Sequence, residues 1–412
     1  MESMLPFESL PRVERSAGFS HLAGVRILDL TTSIAGPYAT QLLADFGATV
    51  VKIEKAGGGD DSRQWGPPFL AGQSLWFMSV NRNKESLTLD VATPAGKEVL
   101  LQLLGQADVL VLNMTPRVQQ KLGLDYASLK APFPRLIHAS LTGFGLEGAR
   151  RDHPCYDLIA EGHSGIMDLT GELDGDAQKV GTPAADLLAG QDLAMAVMAA
   201  LIARTQTGSG TNIDVSMLAS MTRFTAPRSL SYLGSGELPR RAGGKDSVIA
   251  IYQVFDSADG PLSLGLGNDG IWARFWQAVG DPAFGGRAGF ATNALRREHR
   301  ATIVARIAGI LKTRSRDEWL ALFAAERIPA GPINRVDETA RDAELIGQGF
   351  FYQADSSAGP IPQMGLGIAM GGERTVHRKP PPALGEHNER VLRDWLGMND
   401  EAIAGLRSSG AI

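Results

Sequence analysis

Of the 412 residues only one, Cys155, is a cysteine, so no intramolecular disulfide can form and no paired thiolates exist for a zinc site. Histidine is scarce as well, with seven in the chain, and no HExxH, CxxC or EF-hand spacing occurs. A bound metal is therefore not expected. Charge of one sign is lacking: 40 Lys and Arg stand against 45 Asp and Glu, a net −5. That balance gives no global argument for a nucleic acid or a membrane as partner, though a local basic cluster can still meet phosphates. A long apolar run free of polar residues is also missing. The most apolar stretch, 187–202, carries Gln191 and Asp192 and reads as a buried helix. The first 23 residues mix Glu, Pro, Arg and Ser without the apolar core of a secretory signal, so a cytoplasmic location is expected. No internal repeat is apparent.

What is present is ordinary globular composition, 44% hydrophobic and 21% charged, at a length that suggests two or three domains. "GVRILDL" (24–30), "ATVVKIE" (48–54), "ADVLVLN" (107–113) and "RLIHASL" (135–141) read as buried strands. Between them, Gly36-Pro37 and Thr93-Pro94 open helices. Alternating strands and helices predict an α/β doubly wound sheet, with ligands outside the carboxyl ends of its strands. A long helix follows over about 184–205 and stops at Gly208-Ser209-Gly210. From about Thr225 the texture turns linker-like, then "IAIYQVF" and "SADGPLSLGLG" read as a hairpin before a helical block with a capping box at Ser315 and Glu318. A smaller α+β domain is expected over 226–339, inside a large Rossmann-like domain made of 1–225 and 340–412.

Two familiar motifs almost occur. Gly162-His163-Ser164-Gly165 has Ile166 where a nucleophile elbow needs glycine. Gly265, Gly267 and Gly270 match a dinucleotide fingerprint literally, but "AFGGRAGFATNALRREHR" follows in place of a second strand ending in an acid. A glycine-requiring strand-to-helix turn accounts for them better. Asp186, at the start of the long helix, reads as an N-cap. Alternatively it is a carboxylate kept ionised by the helix dipole and free backbone N–H groups, hence a nucleophile toward an activated acyl group. Tyr156-Asp157 and Glu161 read more readily as structural than as functional. Lys52, Lys55, Arg63, Arg82, Lys84 and Lys121 scatter near strand ends, where several converging cations would be needed to hold a ligand with three phosphates.

Together these segments, with "NRNKESLTLDVATPAGKEVL", "ASLTGFG", "YDLIAEGHSGIMDLTG", "TPAADLLAG", "RTQTGSGTNIDVSML", "IPAGPI" and "PPPALGEHNERVL", resemble the class III CoA-transferases in order and spacing over about 390 residues. That family (CaiB/BaiF type) contains formyl-CoA transferase, carnitine CoA-transferase and α-methylacyl-CoA racemase. The resemblance implies an interlocked homodimer, no tightly bound cofactor and no metal, with a coenzyme A thioester as substrate and a carboxylic acid as acceptor. It puts the catalytic aspartate at Asp186. It puts CoA contacts at Thr32, Ser33, Ile34 and Lys55, adenosine-pocket residues at Leu89, Asn113 and Met114, a phosphate-facing base at Lys121, and a pair beside the thioester at Tyr156 and Asp157.

Three departures matter. Ile34 replaces a glutamine of formyl-CoA transferase, which argues against formate or oxalate as acceptor. Pro154 replaces a basic CoA contact, and "RRAGGKDS" stands where a glycine-rich lid belongs. The racemase branch uses a His-Asp pair where this chain has Tyr156-Asp157, and tyrosine is a poor base at neutral pH. Transfer is thus expected over racemisation, although His153 and His163 stand close in sequence. The third reading is a CoA-binding subunit of a heteromeric transferase, against which the presence of Asp186 speaks. Succinyl-CoA is a candidate donor, and Arg63, Arg82, Arg228, Arg240 and Arg241 are candidate clamps for an acceptor carboxylate.

Overall fold

Six short strands pair side by side in one parallel sheet: β1 (Arg26–Leu30), β2 (Thr49–Glu54), β3 (Lys84–Thr88), β4 (Val109–Leu112), β5 (Ile137–Thr142) and β6 (Asn212–Ser216). Their order is β3-β2-β1-β4-β5-β6, the doubly wound arrangement in which strand order reverses between β1 and β4. The computed structural model describes residues 5–16, 18–374 and 376–412.

Side chains alternate along each strand, so the sheet needs cover on both faces. Ile27, Val50, Val109, Ile137 and Ala139 face α1 (Ala35–Asp45) and the long helix α4 (Ala184–Thr207). Leu28, Leu30, Val51, Ile53, Leu110 and Leu112 face α2 (Pro94–Leu104) and the helix Asn388–Leu396 near the C-terminus. Thr93 caps α2 by accepting the Gly96 N–H at 3.1 Å, with Pro94 at the first helical position as the sequence leads one to expect. The α4 helix is the one helix among the described residues long and apolar enough to cross a membrane. Here it lies on α1, with Gly190 at the contact: a Cβ there would sit 2.7 Å from the Ala35 carbonyl oxygen.

Two of the six strands are polar and were not expected. β3 reads Lys-Glu-Ser-Leu-Thr yet is entirely buried, and β6 closes the other edge with Asn-Ile-Asp-Val-Ser. The C-terminal segment seals β3. His387 donates its N–H to the Ser86 carbonyl (3.0 Å), Asn388 Oδ1 accepts from the Thr88 N–H (2.9 Å), and Asp90 donates to the Ala411 carbonyl (2.8 Å).

The chain forms two units, one of residues up to 166, 179–233 and 342–412, the other of 167–178 and 234–341. The second unit has its own core around Trp272, Phe275, Trp276, Trp319 and Phe323. There β7 (Tyr252–Asp256) and β8 (Pro261–Gly265) form the expected hairpin, and a third strand, Ala330–Pro332, pairs with β8. The Ser315–Glu318 capping box is formed. Gly265, Gly267 and Gly270 thus stand on an antiparallel hairpin, where Gly265 leaves room for the Tyr252 ring, and not in a parallel dinucleotide-binding unit. The stretch expected as linker begins with a helix, Ala226–Ser235, whose Pro227 lies in the first turn where no backbone donor is required.

Candidate active site

The reversal of strand order puts the loop after β1 and the loop after β4 side by side, and a side chain joins them. Asn113 accepts the Thr32 N–H (3.1 Å) through Oδ1 and donates Nδ2 to the Thr32 carbonyl (2.8 Å). From the β2 side Asp60 accepts the Ser33 N–H at 3.0 Å. Ser33 has φ +70°, a left-handed conformation unfavourable for a side chain, and these clamps hold it there. Asn113 therefore fixes the backbone of the β1 loop.

Beneath the loop lies a buried set of charges. Asp29 accepts from the Thr31 N–H (2.9 Å), the Thr31 hydroxyl (2.5 Å) and the Thr40 hydroxyl (2.6 Å), and pairs with Lys84 at 3.1 Å. Lys52 donates to the Thr31 carbonyl (2.7 Å) and pairs with Asp60 at 2.8 Å. All four ionic side chains are fully enclosed. Burial alone would raise the Asp29 pKa, but Lys84 and Lys52 together overcome it and hold the carboxyl well below its ordinary range. Burial, with Lys52 adding to it, pushes Lys84 down to about 8. Lys52 and Lys84 accordingly carry the loop from inside and are not available to phosphates.

Asp186 is the third residue of α4, whose N-cap position is Pro183. The close approach at Gly190, one turn further on, sets the start of α4 beside the start of α1, and hence beside Ile34. The expectation of free N–H groups at this helix start is overturned. Ala184 donates to the Thr182 carbonyl (2.8 Å) and Leu187 to the Pro183 carbonyl (3.1 Å), while Ala185 and Asp186 donate to Asp157 Oδ1 at 2.8 and 3.4 Å. Asp157 is thus the cap of the α4 helix, projecting from the first turn of α3 (Asp157–Ser164). Asp186 is not a cap, and its own carboxylate accepts no hydrogen bond and meets no cation among the described residues. Burial first, and the Asp157 charge second, push its pKa up to about 7. The expected helix-stabilised anion is instead a carboxyl poised between its two protonation states near neutral pH.

Cys155 lies close enough for the Asp186 charge to add to burial in raising its thiol to about 11, so it is not a nucleophile here. Glu161 is completely buried one helical turn after Asp157. Ser164 ends α3 with its hydroxyl donated to the Glu161 carbonyl at 2.8 Å, without the strand-turn-helix of a nucleophile elbow.

The remaining expected residues divide. Thr32 and Lys55 are exposed at the carboxyl edge of the sheet, Met114 is half-buried after β4, and Lys121 is exposed on the helix Pro116–Leu122. Tyr156 is 66% exposed. Leu89 does not face the edge. Its side chain is enclosed in the core under α2, leaving only backbone at the end of β3. Ile34 is buried but lines a cavity of about 540 Å³ that also touches Tyr38, Trp76, Thr182, Pro183 and Leu187. Arg82 reaches the same cavity, yet it is locked on Asp45 and on the Met364 carbonyl (2.5 and 2.7 Å). Arg63 pairs with Glu54 and Arg241 with Asp168, at 2.7 and 2.8 Å. Arg63, Arg82 and Arg241 are therefore already engaged. The sequence carried no signal for the cavity, because its walls come from residues 34 to 366.

Residues 22–388 match the model of CoA-transferase family III. A succinyl-CoA:glutarate CoA-transferase of Mus musculus is 35% identical over 392 residues, covering 95% of this chain and 90% of that protein. A succinate–glutarate CoA-transferase of Agrobacterium fabrum is 37% identical over 381 residues, covering 90% and 95%. Among solved structures, a CaiB/BaiF family protein from Brucella suis aligns with a TM-score of 0.80 at 36% identity, covering 92% of this chain and all 100% of that one.

Proposed function

The chain belongs to CoA-transferase family III, and we propose that it moves CoA from an acyl-CoA donor, with succinyl-CoA foremost, to a carboxylic acid through covalent intermediates on Asp186. The observation that carries this reading is the Asp186 carboxyl itself: largely buried, at the carboxyl edge of the sheet, free of hydrogen-bond donors and raised to about 7. A carboxylate stabilised by cations or donors is a weak nucleophile, whereas a poorly solvated, more basic one attacks more readily.

In the proposed sequence an Asp186 oxygen bonds to the thioester carbonyl carbon, the C–S bond breaks, and CoA leaves as thiolate with an aspartyl anhydride behind it. The thiolate then attacks the aspartyl carbonyl, the donor acid departs, and an aspartyl-CoA thioester remains. The acceptor carboxylate attacks that thioester to give a second anhydride and thiolate, and thiolate attack on the acceptor carbonyl releases the new acyl-CoA and restores Asp186. Each step exchanges one activated acyl group for another. The protein's task is then to hold the groups in line and keep water out.

The loop Thr31–Ser33, the exposed Lys55 and Lys121, and the edge at Asn113-Met114 support a CoA site along the carboxyl ends of β1, β2 and β4. The cavity beside Ile34 and Leu187 supports an acceptor whose carbon chain packs against apolar walls. Exposed apolar side chains at Met195, Ile202, Phe224, Leu230 and Leu233 support burial against a second copy of the chain, as an interlocked dimer requires.

Intact-mass measurement after incubation with succinyl-CoA or acetyl-CoA tests the covalent route. The expected result is an adduct released by hydroxylamine that leaves its hydroxamate on Asp186, and no adduct with several donors would overturn it. The pH dependence is a second check. Because Asp186 must be ionised to attack, kcat/KM should fall on the acid side with an apparent pKa near 7. Asp157→Asn keeps an oxygen to cap α4 but removes the charge, so the limb should move to lower pH, by about half a unit to one unit. A limb that does not move would show that the Asp157 charge does not reach the nucleophile.

A further inference from the structure

Asp157 and Glu161 occupy successive turns on one side of α3, and the Asp157 carboxylate is the charge acting on Glu161. Glu161 has no exposed surface. Its Oε2 accepts the Val180 N–H at 2.9 Å, while its Oε1 is buried and accepts from no donor. Asp157 uses Oδ1 on the Ala185 and Asp186 N–H groups. Among the described residues the cation acting on Glu161 is Lys179, on the chain leading into Val180, and its ammonium group is turned to the Val180 carbonyl at 2.9 Å. Asp186 lies beyond Asp157, on α4.

Ionising Glu161 here is disfavoured, because its charge would be cut off from water and would repel the neighbouring carboxylate. The proton belongs on Glu161, the more enclosed of the two and the one with fewer donors. Burial and the neighbouring Asp157 both raise its pKa. A protonated Oε1 also removes the anomaly of a buried oxygen without a partner, by turning it into a donor.

We propose that Glu161 is a positioning residue that carries a proton, donates it to Asp157, and so fixes the carboxylate that caps the Asp186 helix. Ionisation of Glu161 would replace that hydrogen bond by repulsion, displace the cap and let the nucleophile drift. The inference rests on Asp186 being the attacking group.

The test compares wild type with Glu161→Gln and Glu161→Leu. Glutamine retains both functions permanently: its amide oxygen takes the Val180 N–H and its NH₂ supplies the donor to Asp157. Glu161→Leu should lower kcat by about 10²-fold with little change in the KM for acyl-CoA, the effect of a nucleophile misplaced by roughly an ångström. Glu161→Gln should restore kcat to within about threefold of wild type, a residual of well under 1.4 kcal/mol. Wild type should show an alkaline fall in kcat as Glu161 loses its proton, and Glu161→Gln should lack it. If folded Glu161→Gln is as impaired as Glu161→Leu, or keeps the alkaline fall, the proposal is wrong. Labelling of Asp186 in wild type by the acyl-CoA donor reads the nucleophile separately: its absence overturns that role, whereas labelling in wild type with failure of Glu161→Gln overturns only the role of Glu161.

Discussion

Replacing Asp186 with asparagine is expected to lower kcat by a factor on the order of 10⁴ while making the folded protein more stable above pH 7. The loss follows from the proposed chemistry, in which the Asp186 carboxylate attacks and asparagine has none to form the anhydride. The gain follows from the raised pKa. The folded chain retains on Asp186 a proton that the unfolded chain releases at ordinary carboxyl pH, so this group favours folding most below about pH 4. That contribution is lost as pH rises through about 7, where burial and the Asp157 charge act on an uncompensated anion. Asparagine is neutral throughout. The variant should therefore gain on the order of 1–2 kcal/mol at pH 8, allowing for solvent at the carboxylate oxygens, and lose the advantage by pH 4. Steady-state kinetics and urea unfolding at the two pH values check both halves. A variant less stable than wild type at pH 8 would mean that the carboxylate is better solvated than the structure indicates.

Asp29→Asn should produce the largest loss of stability, about 3–5 kcal/mol, because it strands the enclosed Lys84 ammonium and takes a neighbouring charge from Lys52, which keeps its pair with Asp60. Lys84 would retain only the Pro37 carbonyl and Asn81 Oδ1 as acceptors, both at 2.8 Å. The urea midpoint should fall with little change in slope. Adding Lys84→Met to the Asp29→Asn chain should recover part of the loss, since the second change removes the unpaired charge that the first creates. Additive losses would show that the two groups act independently. Thr31 takes both its N–H and its hydroxyl to Asp29, so the β1 loop should loosen along with the core.

The strands β1, β2, β4 and β5 were legible because each is a short apolar run, and a strand covered on both faces must be one. β3 was not, because its polar side chains are satisfied by partners far along the chain. Glu85 meets Lys379 and Arg390, Thr88 meets Asn388, and Ser86 meets Glu54. No local pattern encodes such pairings. The site shows the same limit. Asp186 stood out through its position at a helix start and through family resemblance, but the protonation of its carboxyl depends on which backbone donors remain there. Those donors are taken by Asp157, 28 and 29 residues earlier. Asn113 was singled out as a ligand contact, but its amide's bonds to the Thr32 backbone across the reversal in strand order were not legible. The spacing of Asp157 and Glu161 was visible, but that Asp157 caps the Asp186 helix with a buried Glu161 behind it was not.

The sealing of β3 by the C-terminal segment has a consequence for biosynthesis. Strands β1 and β2, α1 and the Thr31–Ser33 loop emerge from the ribosome long before residues 379–411, which supply the Lys379, His387, Asn388 and Ala411 contacts at β3. Until then one edge of the parallel sheet is open, with unpaired backbone groups of the kind that recruit foreign strands. The nascent chain must hold this edge of its sheet unfinished through nearly the whole of translation, so a stalled or truncated product would be a client for chaperones rather than a weak enzyme.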